Sequence, residues 1–561
     1  MGRDGPPHEP GLRRLCPGGG FGPSAPGRAH WTFARVPLAA ALLALTFVLV
    51  PLDDRPVTLQ LPQMLGRIAG VRVAAPPREL LGKYLRFGDP AALAGWLRDD
   101  TPRDAAAFIV SLDMLAYGGL VASRTPAVPA FLAVSRLRAF AAFRSTRPAA
   151  SFAGFGTVMR LAPTGVPDLG AAAGFFAAGP AWPLIQDYAN LPDPPRTAAD
   201  RATATRLRAS AGSVLDDYLA TRRRDRDVDL FELQLVAEGS LDRLILGQDD
   251  AGPVGLHLRD LAALRAYVAK WDIGGRATIE PGADELAMAL VGAELAREAA
   301  FAPRVRVRYS QPGGGALNDP LEFVPIDATV GALIRASGGV RDDAVPITPG
   351  AATPDRPDIE LFVRTPGTDP DAEQRFVDAI DEAAQAGHVV AVADLTFLAP
   401  DDFVQQRSLV DELLQRGVAG SIAAFASWNT TANTLGTAIP EAIAVAAGKR
   451  MGSYNARAHA QFMLDRYADD YAFHDFTRPA LNAWLSDRGI SDHTYLEPII
   501  AEQTTWQNRA DLWPRTLALL AAIYPQYRDG GLTITLPWDR TFETELDVRL
   551  GDGGAEKAAP R

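Results

Sequence analysis

Acidic side chains recur in this chain where short apolar runs stop. Asp53 and Asp54 follow "LALTFVLVPL", Asp113 follows "FIVSL", Asp249 and Asp250 follow "LILGQ", and Asp284 and Glu285 follow "ATIEPGA". Two carboxyl groups held at a controlled separation can split a glycosidic bond, one protonating the leaving oxygen while the other acts as nucleophile or as base for water. Like charges held close also raise the pKa of one partner, which keeps an acid protonated near neutral pH. The same oxygens suit a hard cation such as magnesium. Three readings follow: a carbohydrate-active hydrolase, a magnesium-dependent hydrolase or lyase, and a non-catalytic sugar or nucleotide binder. The ligand expected is a small molecule or carbohydrate, and no cofactor is implied unless magnesium is bound.

In the first reading Asp250 is the acid and Asp249 its orienting or nucleophilic partner. Asp284 and Glu285 form a second candidate catalytic pair. They also open "DELAMALVGAELAREAA", and acids in a first helical turn are favoured by the helix dipole alone. Candidate ligand-binding residues are Asp53, Asp54 and Arg55 in "PLDDRP", Asp113 and Tyr117 in "SLDMLAYGG", Arg160 in "VMRLAPT", and Trp428, Asn429 and Asn433 in "ASWNTTANTLG". An exposed indole face beside amide donors suits sugar rings and their hydroxyls. The competing role is structural, with Asn433 or Thr434 capping the next helix and Trp428 in the core. Arg160 suits a carboxylate or phosphate on a ligand, or an internal ion pair.

The elements that must position these residues repeat one pattern from Thr46 to about Ala447: a short β-branched run, polar residues at its end, then a helix-period segment. That alternation predicts an α/β fold with a mostly parallel sheet of about ten βα units, either an augmented barrel or two doubly wound sheets. In both, ligands gather outside the carboxyl ends of the strands, where these acids fall. The expected organisation is a disordered lead or targeting segment over 1–44, a first α/β part over 45–164 and a helical insertion over 165–240. A second α/β part follows over 241–447, then a mainly helical region with one late strand in "GLTITLPW" over 448–551, and a disordered tail over 552–561.

Bulk properties narrow the class. Of 561 residues, 47% are hydrophobic and 22% charged, which is a globular composition. A net charge of −11 speaks against a nucleic-acid surface, and the one dense basic cluster, "TRRRDRD", reads as a solvated helix end. A single cysteine removes any disulfide framework or cysteine-rich zinc site, and the seven histidines do not cluster at ligand spacing. There is no phosphate-binding GxxxxGK[ST] loop, no GxSxG elbow, no HExxH and no GxGxxG after a strand. The apolar run Val36–Val50 resembles a signal-peptide core but is shorter than the roughly 20 residues a spanning helix needs, so no stable membrane span is expected. Cytoplasm and export both stay open.

Taken together, "VPLDDRPVT", "SLDMLAYGGLVASR", "TVMRLAPT", "GQDDAG", "PGADE" and "WNTTANTLGT" resemble DUF4127, a bacterial family of unknown function. The resemblance runs from about Phe47 into the C-terminal segment. It implies that the lead before Ala44 is an addition to the shared domain, and it brings no activity or catalytic residue with it. A weaker similarity points to glycosidases acting on N-acetylated sugars, which use adjacent aspartates or an Asp-Glu pair at a strand end. There the first acid orients the acetamido group and the second donates the proton. This chain lacks the motifs that surround those pairs, and it carries both pairs where each group has one.

Overall fold

Strand β1, Thr46–Val50, sends Phe47 and Leu49 into one core and Val48 and Val50 into another, as the two-residue period of a strand requires. A strand buried on both faces reads as a continuous apolar run. A computed structural model describes residues 45–163, 181–342, 356–398 and 403–552. The expected lead over 1–44, the start of the helical insertion and nearly all of the tail lie outside the described residues.

The protein is α/β, built on two open, parallel sheets. The first contains β1, β2 (Arg72–Ala74), β3 (Ala107–Ser111), β4 (Ser151–Val158), β5 (Arg243–Gln248) and β6 (Ala277–Pro281), in the order β2-β1-β3-β4-β5-β6. The second contains β7 (Arg304–Tyr309), β8 (Val340–Arg341), β9 (Ile359–Arg364), β10 (Val390–Asp394) and β11 (Ala424–Ala426), in the order β11-β10-β9-β7-β8. The winding is the same in both. The first strand pairs with the second on one side and with the third on the other, and later strands add outward. Each sheet therefore has one switch point, β1/β3 and β7/β9, where a crevice opens at the carboxyl edge.

All ten strands expected from sequence are present, and the barrel alternative gives way to two sheets. Both sheets belong to one compact unit, Ala44–Arg561. Helices Gln60–Ile68, Leu286–Glu298, Ile326–Ala336 and Thr431–Met451 lie between the sheets, and their side chains share a core with the inner faces of both. The outer face of the first sheet packs on helices that include Ala130–Arg144, Ser213–Ala237 and His257–Lys270. The outer face of the second packs on the C-terminal helices and on the antiparallel hairpin β12 (Tyr527–Thr535) and β13 (Glu545–Asp552). Of those two late strands only β12 is expected from sequence, although β13, "ELDVRLGD", has the two-residue period of a half-buried strand, with Leu546, Val548 and Leu550 buried. Among the described residues no helix is long and apolar enough to cross a membrane.

The cluster "TRRRDRD" is not a solvated helix end. It lies inside helix Ser213–Ala237, and Arg222, Asp225, Asp229 and Glu232 all point inward at helical spacing. Arg222 donates to Asp260 (2.6 Å) and to the carbonyls of Met159 and Arg160 (2.8 and 2.9 Å). The other three join Asp113 in a buried acidic cluster behind the sheet. Burial, reinforced by neighbouring acids, pushes Asp113 up to about 8, and it raises Asp229 and Glu232 well above the carboxyl range. Asp225 rises to about 6, also through burial.

Candidate functional site

A cavity of about 620 Å³ opens where the carboxyl edge of the first sheet meets the second half of the molecule. Loops after β1, β3, β4, β5 and β6 contribute Arg55, Arg124, Arg160, Asp249 with Asp250, and Asp284. The turn after β11 contributes Asn429, Thr430 and Asn433. The C-terminal segment closes the wall with Asp492, Trp538, Arg540 and Phe542.

"PLDDRP" turns sharply after β1. Arg55 is 4% exposed and holds two carboxylates at once: Nη2 lies 2.7 Å from Asp53 Oδ2 and 2.6 Å from Asp284 Oδ1. Asp53 also accepts from the Thr58 hydroxyl (2.8 Å). Burial works against ionising Asp284, but Arg55 together with Arg124 and Arg540 keeps its pKa below the usual carboxylate range. Asp54 turns the other way and accepts from Trp538 Nε1 (2.7 Å); burial lifts it to about 6 against that hydrogen bond.

After β5, Asp249 is buried and ion-paired with Arg124, whereas the Asp250 carboxylate is 37% exposed and lies 3.5 Å from Arg160 Nη1. Burial raises Asp249 to about 6 in spite of Arg124. Two adjacent acids thus have different surroundings on one cavity wall, the condition under which an acid and a base can coexist.

Asp284 and Glu285 diverge. Glu285 stands at the N-cap of the following helix with Asp284 just before it, and neither makes a side-chain cap hydrogen bond. Glu285 is fully buried, and its Oε2 accepts from Asn433 Nδ2 (2.9 Å). Asn429 Nδ2 in turn donates to Asn433 Oδ1 (2.7 Å). Burial raises Glu285 well above the carboxyl range, so the chain Asn429–Asn433–Glu285 ends in a neutral carboxyl beneath the cavity floor. Two glycines make its slot: a Cβ on Gly282, whose φ is +96°, would overlap Oε1, and one on Gly436 would overlap Cγ. Gly436→Ala is therefore expected to displace Glu285 and lower stability by about 1–3 kcal/mol. Ligand affinity should fall with it, because Asn433 loses its partner; a thermal melt beside a ligand titration checks both.

The helix after β11 starts at Thr431 and is capped by Thr430, whose hydroxyl accepts from Asn433 N (3.2 Å), rather than by Asn433 or Thr434. Trp428 is not an exposed platform. It is 6% exposed, donates from Nε1 to Thr437 (3.3 Å), and lines a neighbouring cavity instead of this one. Asp113 and Tyr117 do not reach the cavity either. Asp113 accepts from Thr157 N and Oγ1 (2.8 and 2.9 Å), and Tyr117 lies under Arg224 within the acidic cluster. A residue after a central strand can turn to either side of the sheet, and the helix that begins at Leu112 carries both inward.

The aromatic wall comes from residues that strand ends do not reveal. Trp538 stacks on Tyr84 with centroids 5.2 Å apart, and Arg55 and Arg540 lie 4.5 and 4.6 Å from its ring. Among the described residues six non-glycines have positive φ; Tyr84, Asn429 and Trp538 line this cavity, and Asp539 adjoins it. Left-handed backbone is costly for such side chains and collects where function requires a particular direction. Arg124 has a signal in the sequence, as the last residue of "SLDMLAYGGLVASR"; Trp538, in "TLPWDR", has none beyond its type. No group of three or more His, Cys, Asp or Glu is placed to hold a metal ion among the described residues.

The family model of DUF4127, described as a protein of unknown function, matches residues 47–547. No curated protein and no solved structure matches the chain. The chain belongs to the DUF4127 family.

Proposed function

We propose that this DUF4127 member is a hydrolase that binds a carbohydrate in the cleft and cleaves it with the Asp249–Asp250 pair. The observation that carries the reading is the split environment of these two acids on one wall. Asp249, buried and raised to about 6 against its ion pair with Arg124, carries below that pH the proton that the leaving oxygen needs. Asp250, partly open to the cavity beside Arg160, takes the proton of the attacking water. This reverses the roles drawn from sequence, because burial favours the protonated form of Asp249.

The rest of the lining supports a sugar. Guanidinium, amide and carboxylate groups alternate around the cavity, and planar groups of this kind pair two at a time with neighbouring hydroxyls. Tyr84, Trp182, Trp538 and Phe542 stand in the lining, and cavities of about 300–1,000 Å³ are usual for small ligands. The magnesium reading has less support, since Asp249 and Asp284 are engaged by Arg124 and Arg55 rather than converging on one another.

The test is turnover of a panel of 4-nitrophenyl glycosides. Asp249→Asn and Asp250→Asn should each lower kcat/KM by about 10²-fold or more. Wild-type activity should fall as pH rises through about 6, the limb set by protonated Asp249, and that limb should vanish in Asp249→Asn. Ligand binding without turnover anywhere in the panel would replace the hydrolase with a binding protein.

A further inference from the structure

A second cavity of about 480 Å³ adjoins the first, and Asn429 and Phe542 belong to the walls of both. Resting on the carbohydrate reading above, we infer that the two cavities form one extended site, and that the substrate is an oligosaccharide whose second ring occupies the cavity lined by Trp428, His474, Arg478 and Asn482. Four observations carry this.

Two residues are common to both walls. Asn429, with φ +57°, is the turn residue between β11 and the long helix, and its amide is fixed by Asn433. Phe542 sits between Arg540 and Arg478, whose guanidinium carbons lie 4.8 and 5.2 Å from its ring. One aromatic ring thus has a cation from each cavity beside it.

The second cavity lies at the carboxyl edge of the second sheet, after β10 and β11, as the first lies at the edge of the first sheet. Matching windings place two ligand-receiving edges side by side, and a ligand of more than one unit is what can use both.

Its far wall is an 11-residue π-helical segment, Tyr467–Thr477, which supplies His474 and Asp475. Segments of this kind are rare and recur at functional sites.

Its lining repeats the chemistry of the first cavity. Trp428 and Phe397 contribute apolar atoms to the lining, Arg478 and Asn482 planar polar groups, and Ser427 and His474 complete the edge. Burial holds the His474 pKa well below the usual imidazole range, so the ring is neutral, and its Nδ1 accepts from Arg478 (3.2 Å). A neutral imidazole beside the Arg478 guanidinium, with Ser427 and Asn482 supplying a hydroxyl and an amide to the same lining, suits a hydroxylated ring.

The test compares 4-nitrophenyl glycosides of a monosaccharide with those of the matching disaccharide and trisaccharide. It also compares binding of the corresponding free sugars by calorimetry. Wild type should favour the longer glycosides by tenfold or more in kcat/KM, and the longer free sugars by a similar factor in Kd. Arg478→Gln and Asn482→Ala should bring both ratios towards one. Asn482 accepts from the Thr541 hydroxyl (2.6 Å) and Arg478 donates to His474 (3.2 Å), so a thermal melt first establishes that each variant is folded. Turnover or binding that is independent of chain length, or ratios unchanged in both folded variants, overturns the extended site while leaving the hydrolase standing. Length-dependent binding that the variants abolish, without turnover, keeps the extended site and removes the hydrolase. A panel that neither binds nor reacts removes both.

Discussion

Arg55→Met is expected to be the most damaging single change at the cleft. It leaves Asp53 and Asp284 facing one another in a buried space without the guanidinium that both now contact at 2.6–2.7 Å. Breaking a buried ion pair by removing one partner costs about 3–5 kcal/mol, because a desolvated charge remains. The variant should melt well below wild type or fail to accumulate. Its deficit should shrink as pH falls towards 4, since the stranded carboxylates then take up protons. Adding Asp284→Asn should recover part of the loss, whereas the same substitution in the wild-type background should only destabilise. Equal melting of wild type and Arg55→Met at pH 7 would mean that the ion triad contributes little and that Arg55 serves the ligand alone.

The buried acidic cluster sets the second large expectation. The pKa values of Asp113, Asp225, Asp229 and Glu232 are all raised in the folded state above the ordinary carboxyl values of 3.8 and 4.5. A raised folded-state pKa contributes stability that is fully present below the unfolded value and is lost as pH rises through the folded one. The folded protein then binds more protons than the unfolded chain between about pH 4 and pH 8, so this cluster's contribution declines across that window. A tenfold difference in proton affinity between the two states corresponds to about 1.4 kcal/mol, and all four acids act in the same direction. Asp229→Asn should therefore gain more stability relative to wild type at pH 8 than at pH 5. Urea melts at the two pH values give the comparison. A variant that loses as much at pH 8 as at pH 5 would show that the Asp229 carboxyl is needed for its shape and not penalised for its charge.

The strands are legible because each is an apolar run with a punctuated end, and burial on both faces requires just that composition. The carboxyl-edge rule then brings Arg55, Arg160, Asp249, Asp250, Asp284, Asn429 and Asn433 to one cavity. It fails at Asp113 and Tyr117, where a short helix begins within one residue of β3 and carries both behind the sheet. It fails also at Trp428, since a tryptophan after a strand gives no sign of which cavity it borders. The inward face of Ser213–Ala237 escapes for a different reason. Its buried positions 222, 225, 229 and 232 are charged, and a periodicity sought in apolar residues passes over them. The aromatic wall from Trp538 to Phe542 is out of reach, because it is brought to the cleft by packing of the C-terminal hairpin against the second sheet, a contact about 480 residues distant from Asp54 in the chain.

If the cleft between the sheets is where ligand and the Asp249–Asp250 pair meet, the most direct measurement is a crystal structure of Asp250→Asn soaked with the trisaccharide that wild type binds most tightly. The expected result is one sugar ring in the first cavity, with a glycosidic oxygen within hydrogen-bond distance of Asp249, a ring face against Tyr84 or Trp538, and a second ring beyond Asn429. Sugar bound elsewhere on the protein, or bound in the cleft with no glycosidic oxygen near Asp249, would contradict it.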